Sequence, residues 1–288
     1  MRISDFYKSG RPVVSFEVFP PKKDADIGVI YGALGLMAKC CPDFISVTYG
    51  AGGGGSRNLT TEIAAYIQEN YKTASLAHMT CIGSEKGETA RLLDEMEGSG
   101  VKNVLALRGD MPMGKTPGGD YSYAEDLIRD IRSRGGFCIG AACYPEGHIG
   151  CEDLDADIEY LRRKQDAGAD FLITQLFFDN DCFYRFLARA RGRGVTLPVS
   201  AGVMPILGRK QVERMIFMCG ASLPSGIVKM LYKYEHSPAD LRKAGIYYAA
   251  KQIENLLASG VDGVHIYTMN KPDIAEICME TCRKNVHG

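Results

Sequence analysis

Eight short apolar segments recur along this chain of 288 residues, and a segment with helical periodicity follows each of them. Their near-continuous apolar character is typical of parallel strands that are buried on both faces of a sheet. The segments that we predict as strands are 13–19, 44–50, 75–82, 103–109, 138–145, 171–178, 198–205 and 263–269. Eight strands that alternate with helices predict an α/β fold, and within that class a closed (β/α)8 barrel of the TIM type.

Glycines at the ends of predicted helices support a repeated βα unit. Gly100, Gly168 and Gly260 each stand shortly before a strand, where glycine suits the left-handed conformation that ends a helix. An open doubly wound sheet is the alternative fold, although no GxGxxG follows any predicted strand. The region 222–260 is longer than one crossover needs, so we expect an extra helix at 224–234 before the last βα unit.

The composition is that of an ordinary globular protein, with 45% hydrophobic and 24% charged residues. A net charge of −1 gives no general basic surface, so we expect neither nucleic acid nor a membrane as a partner. The segment MRISDFYKSGRP is too polar for a signal peptide, and no apolar run approaches the ~20 residues of a membrane span. We therefore predict a cytoplasmic protein. No Pro-, Gly- or Ser-rich linker divides it, and we expect one domain over 1–288.

Ten cysteines occur in the sequence, and without a signal peptide we expect them to be thiols rather than disulfides. The densest group of possible metal ligands is Cys138, Cys143, His148 and Cys151. Its spacing does not match the usual patterns of zinc sites, so we expect no metal.

Polar side chains gather at the carboxyl ends of the predicted strands. In barrels of this type the active site lies at that end. Glu17 in SFEVFPP is a carboxylate inside an apolar strand that two prolines stop. The other candidates at strand ends are Thr48, Tyr49, His78, Thr80, Arg108, Gly109, Asp110, Tyr144, Glu146, His148, Gln175, Tyr267 and Asn270.

A cluster of cations accompanies these groups. Arg108 follows a strand, and Arg162, Arg163 and Lys164 lie on the helix after the fifth strand. Together they predict a clamp for a phosphate or diphosphate, and a solvated helix face is the alternative for residues 162–164. The sequence has no Walker A, HExxH or GxSxG motif, which favours an organic cofactor over a P-loop nucleotide or a metal.

Six segments in this order resemble the methylenetetrahydrofolate reductase family, from about residue 13 to 284: SFEVFPP, SVTYGAGG, HMTC, LALRGD, ACYPEGH and ITQLFFD. The length resembles the bacterial form, which consists of the catalytic domain alone. The resemblance implies tightly bound FAD, with NADH or NADPH as the electron donor. It also implies a ping-pong reaction in which 5,10-methylenetetrahydrofolate is reduced to 5-methyltetrahydrofolate by hydride from flavin N5.

The resemblance implies roles for individual residues. Glu17 matches the general acid that protonates N10 of the folate, and we expect burial among Phe16, Val18 and Phe19 to keep it protonated. Asp110 matches an aspartate that contacts flavin and folate and stabilises the iminium cation. The positions that match FAD contacts are Thr48, His78, Arg108, Gly109, Asp110, Tyr123, Ala124, Ala142, Tyr144, His148, Asp157, Tyr160, Arg163 and Lys164. The substrate positions are Asp110, Gln175, Gln211 and Lys271, and the nicotinamide positions are Thr48, Gln175 and Met215.

Three positions depart from the family pattern, and those at 215 and 271 leave open the electron donor and the contacts with the glutamate tail of the folate. Lys271 stands where some relatives carry arginine, Met215 where enteric-type enzymes carry phenylalanine, and Tyr160 replaces a polar FAD contact. One alternative is therefore the same folate chemistry with electrons from a partner redox subunit. A second alternative is a flavin barrel that resembles proline dehydrogenase. A homo-oligomer is expected by analogy.

Overall fold

All eight predicted strands are present in the computed structural model, which describes residues 1–21, 26–49, 57–109, 118–151 and 153–286. Every neighbouring pair is parallel, the strands follow one another in chain order, and β8 closes the barrel against β1. The strands are β1 (Val13–Val18), β2 (Phe44–Val47), β3 (Ala74–Thr80), β4 (Asn103–Leu107), β5 (Cys138–Cys143), β6 (Phe171–Thr174), β7 (Val199–Val203) and β8 (Gly263–Tyr267). The predicted (β/α)8 barrel is confirmed.

Helices separate the strands, and a short 3-10 helix, Ile3–Lys8, precedes β1. The helices are α1 (Ile27–Ala38), α2 (Arg57–Tyr71), α3 (Lys86–Gly98), α4 (Ala124–Arg134), α5 (Leu154–Asp166), α6 (Asn180–Gly192), α7 (Arg209–Cys219), α8 (Ser225–Lys233), α9 (Pro238–Ala258) and α10 (Pro272–Val286). The extra helix expected at 224–234 is α8. The glycines after α3 and α9 adopt the expected left-handed backbone, with φ of 73° at Gly100 and 75° at Gly260.

Several strands end earlier than the sequence predicts, most clearly the sixth. The prediction was 171–178, but β6 ends at Thr174, and the buried Phe177 and Phe178 follow it as irregular backbone. Helix α9 binds this backbone, because Gln252 Nε2 donates to Phe177 O at 3.0 Å and Tyr248 Oη donates to Phe178 O at 2.6 Å. Tertiary packing buries Phe177 and Phe178, and this is why the apolar run in the sequence is longer than the strand.

The two faces of the strands have different surroundings. Side chains such as Phe16 and Val18 point outward and belong to the large apolar cluster beneath the helices. The interior near the amino ends of the strands is also apolar, and the 3-10 helix closes it with Ile3 and Tyr7. Tyr7 Oη lies 2.8 Å from Ser200 Oγ, and its ring centroid lies 5.6 Å from that of Phe171. The polar side chains Asn103 and Ser200 near the amino ends are bonded to this helix, so the polar groups open to a ligand lie at the carboxyl ends of the strands.

The ten cysteines all lie within the described residues, and they are thiols rather than disulfides. In the part of the chain that the structure describes, no helix combines the length and apolar character needed to cross a bilayer.

Gly245, inside α9, is a position where helix propensity and packing oppose each other. Alanine in a helix normally stabilises relative to glycine, but a methyl group here would overlap the carbonyl oxygen of Ile206. We expect Gly245→Ala to lower the free energy of unfolding by about 1–3 kcal/mol, measured by urea denaturation. Gly32→Ala in α1 is the control, because nothing lies within 4 Å of the added methyl group. It should raise the same free energy by about 0.5–1 kcal/mol, and a loss of equal size at both sites would contradict the packing argument.

Candidate active site

Glu17 lies at the carboxyl end of β1 and points into the barrel. The expectation that it is buried among Phe16, Val18 and Phe19 is wrong. Successive side chains of a strand point to opposite faces, so Phe16 and Val18 contact the helices instead. Phe19 is 40% exposed. The Glu17 side chain is 19% exposed, and its neighbours are polar groups of the barrel interior.

Two imidazoles face one oxygen of this carboxyl group. Glu17 Oε2 lies 3.5 Å from His265 Nε2 on β8 and 3.7 Å from His78 Nε2 on β3. His265 is fully buried, and its Nδ1 lies 2.8 Å from Ser15 Oγ on β1. His265 was not among the predicted site residues, which were confined to strand ends. Its position midway between Gly263 and Tyr267 was the signal, because residues two apart in a strand face the same side.

His78 is uncharged at neutral pH. Burial lowers the pKa of its imidazole to about 4, although the nearby Glu17 carboxylate acts in the opposite direction and His265 adds to the lowering. Its Nε2 is buried and has no hydrogen-bond partner among the described residues. The carboxyl group of Glu17 therefore has an uncharged imidazole beside it.

The loop after β8 fixes the backbone at the end of β1. Thr268 Oγ1 donates to Glu17 O at 2.6 Å. The Asn270 side chain accepts from Phe19 N at 3.0 Å and donates to Phe19 O at 2.8 Å. Asn270, which the sequence suggested as a ligand-orienting group, thus holds Phe19 in place.

A cavity of about 200 Å³ opens between the ends of β4 and β5 and the first turns of α4 and α5. Most of the residues predicted to contact the cofactor line it: Arg108, Tyr123, Ala124, Ala142, Tyr144, His148, Asp157, Tyr160 and Lys164. Of the other predicted contacts, His78 and Thr48 lie toward Glu17, and Gly109 follows Arg108. Thr48 N donates to Val18 O at 2.9 Å.

Charged groups in the cavity interact across it. Lys164 Nζ donates to Ala142 O at 2.9 Å, and burial lowers the pKa of this amine while Asp157 opposes the change. Asp157 accepts from His148 N at 3.1 Å, and burial raises the pKa of its carboxyl group while Lys164 opposes the change. Arg108 Nε is buried and lacks a hydrogen-bond partner among the described residues. The cavity thus offers unused cationic donors to an anionic group.

The predicted cations of α5 separate into two groups. Arg162 forms ion pairs with Glu159 at 2.9 Å and Asp166 at 2.8 Å on the outer face of the helix, as the alternative of a solvated face predicted. Lys164 lies in the cavity. Arg163 lies at its rim, with Cζ 5.3 Å from the Tyr160 ring centroid. The Tyr160 and Tyr123 rings stack with centroids 6.1 Å apart.

Of the predicted substrate and nicotinamide positions, Gln175 follows β6, Gln211 lies in the first turn of α7, and Lys271 follows β8. Gln175 Oε1 accepts from Leu176 N at 2.9 Å, and Gln211 Oε1 accepts from Leu207 N at 2.7 Å. Met215 packs partly buried in the apolar cluster of α7, α8 and the β7–α7 loop. Lys271 is exposed. Asp110 lies outside the described residues, so its place in the site stays a prediction.

Among residues 1–21, 26–49, 57–109, 118–151 and 153–286, no group of three or more His, Cys, Asp or Glu side chains is placed to hold a metal ion. The site within these ranges consists of one carboxyl group with two imidazoles, and a cavity lined by the cations Arg108 and Lys164 and the carboxylates Glu125 and Asp157.

Comparison with protein families gives a match to the model described as "Methylenetetrahydrofolate reductase" over residues 2–282. "Methylenetetrahydrofolate reductase (NADH) 1" of Zea mays is 36% identical over 276 residues, which are 91% of this chain and 46% of the relative. "5,10-methylenetetrahydrofolate reductase" of Pectobacterium carotovorum subsp. carotovorum is 31% identical over 266 residues, 92% of this chain and 88% of the relative. The chain thus spans about half the length of the plant relative and most of the bacterial one.

Among solved structures, an uncharacterized Clostridium thermocellum protein has a similar fold, with a TM-score of 0.66 and 14% identity. The superposition covers 100% of this chain and 99% of that protein, which is described as binding two copies of 5-methyl-5,6,7,8-tetrahydrofolic acid. At this level of identity the similarity supports the barrel fold alone.

Replacing His78 should change how stability depends on pH. The pKa of its imidazole is about 4 when folded and 6.5 when unfolded, so the unfolded state binds more protons between these values. His78 therefore does not reduce the free energy of unfolding above pH 6.5, and it lowers this free energy as the pH falls from 6.5 toward 4. We expect the wild-type chain to lose about 3 kcal/mol through it by pH 4, and His78→Gln to lack that loss.

The measurement is urea denaturation of both proteins at a series of pH values. His236→Gln, at an exposed histidine, is the control and should keep the wild-type pH dependence. If the wild-type chain and His78→Gln lost stability equally, the assignment of a buried uncharged His78 would be wrong.

Proposed function

Because this chain belongs to the methylenetetrahydrofolate reductase family, we propose that it reduces 5,10-methylenetetrahydrofolate to 5-methyltetrahydrofolate with bound FAD. One structural observation carries the proposal. An inward-facing carboxyl group, Glu17, lies near the carboxyl end of β1, and the ends of β4 and β5 in the same barrel form a cavity that contains the cations Arg108 and Lys164. A proton donor next to a site for an anionic organic cofactor is what this reaction requires.

The β4–β5 cavity fits the diphosphate part of FAD. Arg108 has a buried Nε without a partner among the described residues, and Lys164 makes one hydrogen bond to the described chain although an ammonium group has three donors. We propose that these two groups hold the diphosphate, with Arg163 at the rim. When bound, FAD supplies a hydride carrier between the electron donor and the folate.

Glu17 is proposed as the general acid. Its Oε2 faces His265 and His78, and its Oε1 makes no hydrogen bond to any described residue. Oε1 is therefore the oxygen available to a bound substrate. A proton delivered from it to N10 of the folate would open the five-membered ring and leave a cation that accepts hydride.

The remaining roles are also proposals. Asp110 would stabilise that cation by its negative charge. Gln175, Gln211 and Lys271 would contact the folate, and Thr48, Gln175 and Met215 the nicotinamide. NADH or NADPH is the proposed electron donor, and a redox partner subunit is the alternative. A cytoplasmic homo-oligomer remains our expectation.

The test of the function is an anaerobic visible spectrum of the FAD-reconstituted chain during titration with NADH. Flavin bands that bleach with NADH and return with methylenetetrahydrofolate would support both parts of the proposal. Bands that bleach only with dithionite, yet return with the folate, would favour a partner protein as donor. Oxidation of proline without activity on the folate would favour a barrel of the proline dehydrogenase type.

Glu17→Gln separates the two halves of the reaction, because only folate reduction consumes the proton. We expect reoxidation of the reduced flavin by methylenetetrahydrofolate to slow by about 10²–10⁴-fold. Reduction of the flavin by NADH, followed by stopped-flow absorbance, should stay close to the wild-type rate. Equal slowing of both halves would refute the acid role.

Lys164→Met tests the proposed diphosphate site. Loss of a charge-assisted hydrogen bond of about 1.5–3 kcal/mol should weaken FAD binding by about 10–100-fold, measured by quenching of FAD fluorescence. Arg162→Met is the matched control on the same helix, because Arg162 pairs with Glu159 and Asp166 outside the cavity. If both variants bound FAD as tightly as the wild-type chain, the assignment of Lys164 would be wrong.

A further inference from the structure

His265 is a fully buried titratable side chain to which the proposed reaction gives no role. Its ring packs between Phe44, with centroids 6.1 Å apart, and Tyr267, with centroids 5.4 Å apart. These contacts fix the plane of the imidazole. Both ring nitrogens face polar groups, so the orientation of the ring has a chemical consequence.

The hydroxyl group of Ser15 decides which nitrogen of His265 carries the proton. In an uncharged imidazole one nitrogen donates and the other accepts. Ser15 Oγ lies 2.8 Å from His265 Nδ1 and 3.5 Å from its other acceptor, Val264 O. Ser15 can give its proton either to Nδ1 or to Val264 O, and Nδ1 is the nearer of these two acceptors. When Ser15 donates to Nδ1, the proton of the ring is on Nε2, the nitrogen that faces Glu17.

The position of that Nε2 proton determines which oxygen of Glu17 can be protonated. His265 Nε2 lies 3.5 Å from both Glu17 Oε2 and Ser46 Oγ, and an Nε2 proton directed at Oε2 makes that oxygen an acceptor. A neutral carboxyl group that accepts at Oε2 carries its proton on Oε1. Oε1 makes no hydrogen bond to a described residue and is the oxygen open to a ligand.

We propose that His265, oriented by Ser15, is a positioning residue that donates to Glu17 Oε2 and thereby keeps the acid proton of Glu17 on Oε1. This inference rests on the proposed role of Glu17 as the general acid. The bond from Nε2 to Oε2 is retained when Oε1 gives up its proton, and it then stabilises the carboxylate that forms. No proton leaves His265 in the process, so the ring keeps one tautomer throughout.

The geometry also assigns different roles to the two imidazoles beside Glu17. Both Nε2 atoms face Oε2, but of the two imidazoles it is His265 that has hydroxyl groups beside it, from Ser15 and Ser46. His78 Nε2 has no hydrogen-bond partner among the described residues. Within the described part of the chain this face also holds the titratable Tyr267, whose Oη donates to Thr174 O at 2.8 Å and so points away from Glu17. Of the two imidazoles, His265 is therefore the one that we assign as the donor.

The first test is spectroscopic and needs no turnover. Nitrogen-15 NMR of the chain labelled at its five histidines reports which ring nitrogen is protonated, and loss of a signal in His265→Gln assigns it. We expect the Nε2–H tautomer in the wild-type chain and a shift toward Nδ1–H in Ser15→Ala. A wild-type His265 with its proton on Nδ1 would overturn the proposal.

The second test measures the two half-reactions with FAD bound. Ser15→Ala should slow flavin reoxidation by methylenetetrahydrofolate by about 10-fold, part of the contribution of a general acid. Flavin reduction by dithionite should be unchanged. Ser200→Ala is the matched control, because Ser200 is equally buried in the barrel and bonds to Tyr7 rather than to His265. Equal slowing in Ser15→Ala and Ser200→Ala would overturn the proposal.

Two substitutions of His265 complete the test. The amide of His265→Gln can still donate to Oε2, so this variant should reoxidise about 10-fold faster than His265→Phe, which has no donor. Equal rates in the two variants would overturn the proposal. If the wild-type chain did not reduce methylenetetrahydrofolate at all, the proposed function would fail, while the NMR tautomer would still decide the role of Ser15 and His265.

Discussion

The pairing of β8 with β1 is the interaction on which the rest of the site depends. It joins residues about 250 positions apart and sets Ser15 opposite His265 and Glu17 opposite Tyr267. Without this register, His265 would lie neither beside Ser15 nor below Glu17. The loop after β8 adds to the closure through Thr268, which binds the carbonyl oxygen of Glu17. One line of backbone pairing thus builds the barrel and assembles its acid centre.

The strands and the extra helix could be predicted from the sequence because their signals are local. Apolar runs, helical periodicity and the glycines Gly100 and Gly260 each depend on a few neighbouring residues. The end of β6 could not be predicted in the same way. Phe177 and Phe178 have the composition of a strand, and only their contacts with α9 show that they are irregular backbone.

The candidate site, like the fold, could be predicted only in part from the sequence. Strand ends and the family resemblance together identified nine of the fourteen residues that line the β4–β5 cavity. The surroundings of Glu17 were predicted wrongly, because sequence neighbours in a strand point to the opposite face. His265 was missed because a single histidine in an apolar run has the appearance of core. Its role depends on Ser15, which only barrel closure brings near.

The 3-10 helix that closes the barrel at the amino ends of the strands has a consequence for biosynthesis. Ile3 N donates to Asn103 Oδ1 on β4, and Tyr7 binds Ser200 on β7. The ribosome therefore makes this short helix long before it makes the strands that bind it. Until β7 has been translated, Tyr7 lacks its native partner, and the docking site of the helix is incomplete. Its docking is consequently finished only in the late steps of folding of the newly made chain.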